Sequence, residues 1–302
     1  MGLAKPALRF MAQEHRRKPF VGPVLTLGRQ SVSATLEEAR VLVTGEGIAA
    51  AELPAGEGVW TNIPGCLATP YDRSISDVAF FKLLGLREFQ ALDCSDFEGA
   101  EIVQDLNLPV PAGLHDGFDL IVDGGTLEHV FDIRQSLTNV ARMLRGGGRI
   151  IHFSPASNWV NHGFYHFSPA LFYDYYAAKG FAGLRGFLVE HDIYSVESGP
   201  WDFYEVGLEG RVASRHGLMT VFVAEKTLRS TVDKVRLQSH YTQLYARAGR
   251  GRADRPIGPW RALIRRLKDM RPDSLKRLVR WIDWGYDRRK GIGKLRRWGR
   301  LS

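Results

Sequence analysis

The stretch "FDLIVDGGTLEHVFDIRQSLTNVARMLRGGGRIIHFSP", Phe118–Pro155, decides the fold. Phe118 to Asp123 form a continuous apolar run closed by two glycines, as expected of a strand buried on both faces. The segment "DIRQSLTNVARMLRGGG" then places Ile133, Leu137, Val140 and Leu144 on one helical face and stops at glycines. "RIIHFSP" is a second apolar strand. Buried strands alternating with amphipathic helices predict a mostly parallel sheet with helices on both faces.

The same alternation extends outward from this unit. Upstream, "VLTLG" (24–28), "FQALD" (89–93) and "AEIVQDL" (100–106) read as strands. "SISDVAFFKLLG" (74–85) reads as a helix with a capping-box-like start at Ser74 and Asp77 and a stop at Gly85. Downstream, "SPALFYDYYAAKGF" (168–181) opens with Ser168 as N-cap and Pro169 in the first turn, and closes at Gly180. The strands "GFLVEHDI" and "LMTVFVAEK" complete a Rossmann-like, doubly wound α/β domain. The connection from about Gln30 to Glu88 is too long for a plain crossover. It holds "SATLEEARVLV", which reads as helical, and a Gly- and Pro-rich run to Pro70. Two readings stand: a lid or substrate-contacting insertion near the ligand face, or a surface elaboration without a role. The expected organisation is a helical segment over 1–20, the α/β domain over 21–228 with the insertion at about 31–73, and a basic α-helical extension over 229–302.

The chain has 302 residues, 44% hydrophobic and 25% charged, which suits a globular protein with a sizeable core. Cys66 and Cys94 form neither a disulfide framework nor a CxxC pair, which fits a reducing compartment. There is no apolar run of bilayer length and no signal-peptide core. The Met-Gly start has Pro6 where myristoylation favours Ser or Thr. A cytoplasmic location is expected, with a peripheral membrane contact left open by the charge distribution. Residues 226–302 carry 23 Lys and Arg against 6 Asp, whereas the first 225 carry 18 basic and 27 acidic residues. Within this tail, "GPWRALIRRLKDM" and "SLKRLVRWIDWGYDRRK" set Trp260, Leu263, Ile264 and Leu267, then Leu275, Leu278, Val279, Ile282 and Tyr286, on apolar faces opposite Lys and Arg. Such helices suit an anionic membrane surface, a partner protein or RNA phosphates; equally, they dock on the domain with their charges solvated. Nucleic acid is the least favoured partner, since it rests on charge alone.

In sheets of this kind ligands collect at the carboxyl ends of the strands. The residues leaving the strands are Gly28, Asp93, Asp105 and Asp123, three of them acidic. Asp93 stands where such folds place a ribose-binding carboxylate, and it also suits a helix N-cap. Asp105 could accept from an adenine amine, and it is also an ordinary turn residue. "VLTLGRQSV" (24–32) has one turn glycine, Gly28, and then Arg29 and Gln30 instead of further glycines.

With these residues in order, the chain resembles class I S-adenosylmethionine-dependent methyltransferases over roughly Val24–Phe181. That family has an FDxxxxxxxLEHV strand followed by a helix and an (R/K)xLxxGGxxxxxxP run. "NHGFYHFSPALFYDYY" (161–176) is further similar to an uncharacterised bacterial subgroup with an HGFYxFSP segment. The resemblance implies S-adenosyl-L-methionine as cofactor, with Asp93 as ribose-binding acid and Asp105-Leu106 as the adenine-contacting pair. The family's first motif is degenerate here: Thr26 replaces its acid, and Gln30 and Val32 replace later glycines. We read an altered cofactor site, with Gly28 as the turn and Arg29 and Gln30 addressing the methionine carboxylate or amine. Asp123 joins the cofactor set. The rival reading is a lost site, hence a non-catalytic binding or scaffold protein of methyltransferase fold.

The resemblance also implies methyl transfer to a hydroxyl or amine of a small-molecule, sugar or cell-envelope precursor. His129, His162 and His166 are candidate bases or acceptor contacts; structural roles are open for each. Base-amine methylation is disfavoured, because Asp123-Gly124-Gly125-Thr126 stands where an (N/D/S)PP(Y/F/W) motif belongs. Cytosine-C5 methylation is disfavoured by the absence of a Pro-Cys pair. Some quinone-type O-methyltransferases carry ExxEH with both acids near a metal; Gly125 replaces the first acid here, so no metal is expected.

Overall fold

The computed structural model describes residues 2–53, 74–207, 212–232, 238–239, 241–242 and 295–302. Among these, nine strands form one sheet in the order β11-β9-β8-β10-β7-β6-β1-β4-β5. The central strands β1 (Val24–Leu27), β4 (Phe89–Asp93), β5 (Ile102–Val103), β6 (Phe118–Asp123) and β7 (Leu144–Ser157) run parallel. β8 (Ala182–His191), β9 (Trp201–Val206), β10 (Gly217–Glu225) and β11 (Arg296–Leu301) continue the sheet antiparallel. The expected Rossmann-like α/β fold is present, with an antiparallel half that the sequence reading lacked.

Side chains alternate across the sheet with period two. Val24, Leu120, Val122, Ile151, Phe153, Val221 and Val223 enter one core with helices α1 (Lys5–Arg17), α2 (Leu36–Gly45) and α3 (Asp77–Leu83). Leu25, Leu27, Ile121, Ile150, Phe222 and Ala224 enter the other, under α4 (Ile133–Met143) and α5 (Pro169–Ala178). α1 is thereby part of the first core: Phe10 packs on Phe153, Phe187 and Phe203.

Caps set the helix starts. Asp132 accepts from Gln135 N at 2.9 Å to open α4, and Ser168 caps α5 with Pro169 behind it. The long connection begins differently from expectation. Residues Ser31–Thr35 are strand β2, and the helix starts only at Leu36, where Thr35 and Glu38 form a reciprocal capping box. β2 pairs with a short β3, Ser74–Ser76, so α3 starts three residues later than read. Its cap is Ser76, not Ser74.

The end of the basic extension also departs from expectation. Arg296–Leu301 form the edge strand β11, not a helix, and Asp202 on β9 receives Arg297 and Arg300. The two amphipathic segments at 258–270 and 274–290, like residues 54–73 of the insertion, lie outside the described residues. No helix among the described residues is long and apolar enough to cross a membrane.

Candidate functional site

The strand order reverses at β1, with β4 on one side and β6 on the other, so a crevice opens beyond their carboxyl ends. Gly28 makes the exit from β1 with φ +72°, a left-handed conformation in which glycine is unstrained. A Cβ there would lie 3.2 Å from Thr126 Oγ1, 3.5 Å from Asp93 Oδ2 and 3.6 Å from Gln30 Nε2. Three strand tips thus meet at one point.

Asp93 is half-exposed at this point, and its Oδ1 accepts from Cys94 N at 2.6 Å. No α-helix follows it before the next strand, so it caps none. The Asp93 carboxylate, first by hydrogen bonding, raises the Cys94 thiol pKa, and the Asp105 charge adds to this. Burial, with the Asp93 charge behind it, likewise raises the Glu98 carboxyl. Asp93 and Asp105 thus both bear on the chain just beyond the β4 tip. Asp105 is exposed and closes a turn by accepting from Asn107 N and Nδ2, each at 2.8 Å. Leu106 is buried beside it, and its carbonyl accepts from Ser136 Oγ and Asn139 Nδ2 on α4.

Gln30 is buried at the same tips. Its amide donates to the carbonyls of Leu27 (2.7 Å) and Gly28 (3.2 Å). Among the described residues its buried Oε1 has no partner. It lies over Gly124, where a Cβ would come within 2.1 Å of it. The side chain thus spans from the β1 exit to the β6 exit.

Two expected cofactor residues face elsewhere. Arg29 is not directed at a ligand carboxylate: its guanidinium is buried against Glu101 (2.6 Å), Asp77 (3.5 Å) and the Gly99 carbonyl (2.5 Å). Asp77 also accepts from Gln30 N at 2.9 Å; burial raises its carboxyl pKa, while that N–H and Arg29 pull it down. Asp123 is wholly buried and turned inward. Its Oδ1 accepts from Thr126 N (3.0 Å) and Leu127 N (3.3 Å). Its Oδ2 meets His152 Nδ1 at 2.8 Å, and His152 Nε2 meets the Tyr176 hydroxyl at 2.7 Å. Side chains at a strand end can face either layer, and this acid faces the α5 side, where it shapes the turn after β6.

The three histidines divide. His129 and His162 come together, ring centroids 5.2 Å apart, at a short 3-10 turn (Leu127–His129) after β6. Burial lowers the His129 pKa, against the raising pull of Glu128. His166 bonds through Nε2 to the Trp159 carbonyl at 2.7 Å and ties the loop after β7. Sequence reasoning passed over Thr126, Glu98, Trp159 and Glu128. Thr126 is held by its hydroxyl to the Leu27 carbonyl at 2.5 Å. Glu128, inside the LEHV element, carried a readable signal: a carboxylate within an otherwise apolar segment.

No protein family matches the chain, and no curated protein does. Among solved structures it is similar to a SAM-dependent methyltransferase from Thermotoga maritima described as a possible histamine N-methyltransferase. The identity there is 16% over 49% of this chain and 77% of that one, with a TM-score of 0.36. It is also similar to the 1,6-didemethyltoxoflavin-N1-methyltransferase of Burkholderia thailandensis, solved with 1,6-didemethyltoxoflavin and S-adenosylhomocysteine. That match has 15% identity over 73% of this chain and 76% of that one, with a TM-score of 0.35. A third likeness, to the CMeT domain of the citrinin polyketide synthase, has 11% identity over 73% and 52% of the two chains, with a TM-score of 0.38.

Proposed function

We propose that the chain binds S-adenosyl-L-methionine at the tips of β1, β4 and β6. Methyl transfer then goes to a hydroxyl or amine of a small-molecule or glycan-type acceptor, including sugars and cell-envelope precursors. The observation carrying this reading is the meeting of Gly28, Asp93 and the unpaired Gln30 Oε1 at one crevice. These residues fit the cofactor. Asp93 offers a carboxylate for ribose hydroxyls, Gln30 Oε1 is an acceptor suited to a donor such as the methionine ammonium, and Gly28 lets Asp93, Thr126 and Gln30 close on one point. Asp105 and Leu106 stand at the next strand's exit, where adenine would rest.

When bound, that group supplies an electrophilic methyl on sulfonium, and the chain's task is chiefly to orient the acceptor. The loop after β7, with Trp159, His162 and Phe164, and the 3-10 turn with His129 border the face where an acceptor would enter. His129 and His162 are placed to contact it or to take its proton, while His166 holds the loop.

Isothermal calorimetry with S-adenosylhomocysteine tests the reading. Saturable heat is expected, weakened about tenfold or more in Asp93→Ala, where a ribose hydrogen bond to a charged group is lost. No heat at high micromolar ligand would sink the enzyme and leave the non-catalytic binding or scaffold reading. That rival draws on one feature, the Gln30 side chain lying across Gly124.

The basic extension gives the proposal its second part, docking at an anionic membrane surface. The full chain is expected to pellet with phosphatidylserine vesicles at low salt, and a chain lacking residues 258–290 but keeping β11 is not. Equal pelleting of the two, or none, counts against docking.

A further inference from the structure

We infer that Glu128, His129 and His162 form a binding site for a divalent first-row transition ion of the zinc type. The starting observation is an electrostatic anomaly. Glu128 is wholly buried, yet neither carboxylate oxygen has a hydrogen-bond partner among the described residues. A buried carboxylate in that condition costs several kcal/mol unless something cationic faces it. Among the described residues no Lys or Arg forms an ion pair with it: what faces it is a second unsatisfied group, His162 Nε2, buried without a hydrogen-bond partner and 3.5 Å from Glu128 Oε1. One donor atom from each of Glu128, His129 and His162 lies within 4.8 Å of the others.

The backbone is built to hold this arrangement. The Glu128 carbonyl accepts from Phe164 N (2.8 Å) and Tyr165 N (3.3 Å), which pins the loop after β7 onto the 3-10 turn after β6. Gly163 makes the contact: a Cβ there would fall 2.8 Å from the Glu128 carbonyl oxygen and 3.0 Å from its Cγ. Any larger residue would lift His162 off Glu128. Trp159 walls the other side of His162, with ring centroids 5.0 Å apart.

The donor set selects the ion. Two imidazole nitrogens and one carboxylate oxygen suit zinc and its first-row neighbours rather than magnesium or calcium, which prefer oxygen. Ligand atoms bound at ~2.1 Å stand ~3 to 3.5 Å apart around such an ion. Glu128 and His162 already have that spacing, and His129, exposed at the rim, needs only a small swing inward. Three protein ligands leave at least one coordination position open, the pattern of catalytic rather than structural sites. The sequence expectation of no metal rested on Gly125 replacing an acid; here His162, from the loop after the next strand, supplies the third donor.

The site is on the strand-tip face, two residues from Thr126, which touches the Gly28 turn. Resting on the methyl-transfer reading, an acceptor oxygen or nitrogen would take the open position and release its proton to solvent more readily there, and its freed electron pair would take the methyl as the methyl–sulfur bond breaks and S-adenosylhomocysteine leaves. His129 and His162 are then ligands rather than bases. Metal binding itself does not depend on that reading.

The test is a cobalt(II) titration of the chelator-treated full chain, followed by its visible ligand-field bands, with zinc(II) displacing the cobalt. One equivalent is expected to bind saturably. His129→Ala and His162→Ala should each lower the affinity by about a hundredfold, as removal of a ligand exceeds the 10- to 100-fold of an outer-shell change. His115→Ala, an exposed histidine elsewhere, should leave it unchanged. Absence of saturable cobalt binding, or equal affinity in the His129 and His162 variants with native melting curves, overturns the inference. A silent Glu128→Gln would do the same. S-adenosylhomocysteine calorimetry on the same sample reports the cofactor reading separately, so the failure of either is distinguishable from failure of the other.

Discussion

Asp123→Ala is expected to destabilise the fold by roughly 4 kcal/mol, the largest single effect among the polar residues. The carboxylate receives Thr126 N at a part-buried position and Leu127 N and His152 Nδ1 at buried ones. Alanine would leave three donors unpaired, two of them buried, each worth about 1–3 kcal/mol and less than additive in one network. The carboxylate accepts from both backbone N–H groups and from Nδ1–H; in the neutral imidazole Nε2 then accepts from the Tyr176 hydroxyl. That chain of bonds has one polarity, and it makes a graded series. Asp123→Asn keeps an oxygen for the backbone but presents an amide N–H₂ to Nδ1. The imidazole must then switch tautomer, turning Nε2 into a donor toward Tyr176. One hydroxyl hydrogen is left without an acceptor, so a loss of about 1–2 kcal/mol is expected. Tyr176→Phe removes only the terminal bond and should cost about 1 kcal/mol. Urea unfolding of the three variants checks the order, and the Asp123→Asn/Tyr176→Phe pair should fall short of additivity. An Asp123→Ala variant as stable as Tyr176→Phe would mean that the network does not organise the β6 exit.

The reach of sequence reasoning follows from which contacts are local. α4 and α5 were legible because Asp132 and Ser168-Pro169 mark their starts within a few residues. β6 and β7 were legible because both faces are covered and the runs are uninterrupted. β2 was not: in Ser31–Thr35 only Val32 and Ala34 are buried, too short an alternation to separate from the helix that follows. β11 could not be read from "RRWGRL", where three arginines argue against a strand. Its placement depends on Asp202, which is remote in sequence, and on Trp298 packing over Phe10, Phe187 and Phe203. The site divides in the same way. Position at a strand exit was readable for Gly28, Asp93 and Asp105, since chain order alone brings them to one edge. Direction was not. Arg29 faces away because Asp77 and Glu101 close around it, and Asp123 faces inward because His152 waits on the neighbouring strand. Neither partner is visible in a local motif. The unpaired state of Glu128 is a property of the folded loops alone.

Gln30→Ala decides between an altered cofactor site and a closed one, and the expected result is weaker S-adenosylhomocysteine binding by about tenfold or more. The expectation follows from the asymmetry of this amide. Its nitrogen is used twice, on the Leu27 and Gly28 carbonyls, which fixes the side-chain rotamer. Its oxygen is buried, unpaired and aimed across Gly124. An orphaned acceptor costs about 1–3 kcal/mol in the free protein, and a charged donor arriving there recovers this and adds its own attraction. A side chain serving only to fill the crevice would behave oppositely: truncation to alanine would tighten ligand binding or leave it unchanged. Gly124→Ala provides the structural control. Its Cβ would lie 2.1 Å from Gln30 Oε1 and 2.7 Å from Cδ, so the amide must leave its two carbonyls. A stability loss of about 1–3 kcal/mol is expected for such overpacking, together with loss of binding. Adding Gln30→Ala to Gly124→Ala removes the clash and should restore most of the stability without restoring the affinity. That split, stability rescued and binding not, is the outcome that a passive plug cannot give, because a plug removed twice over would leave the crevice open.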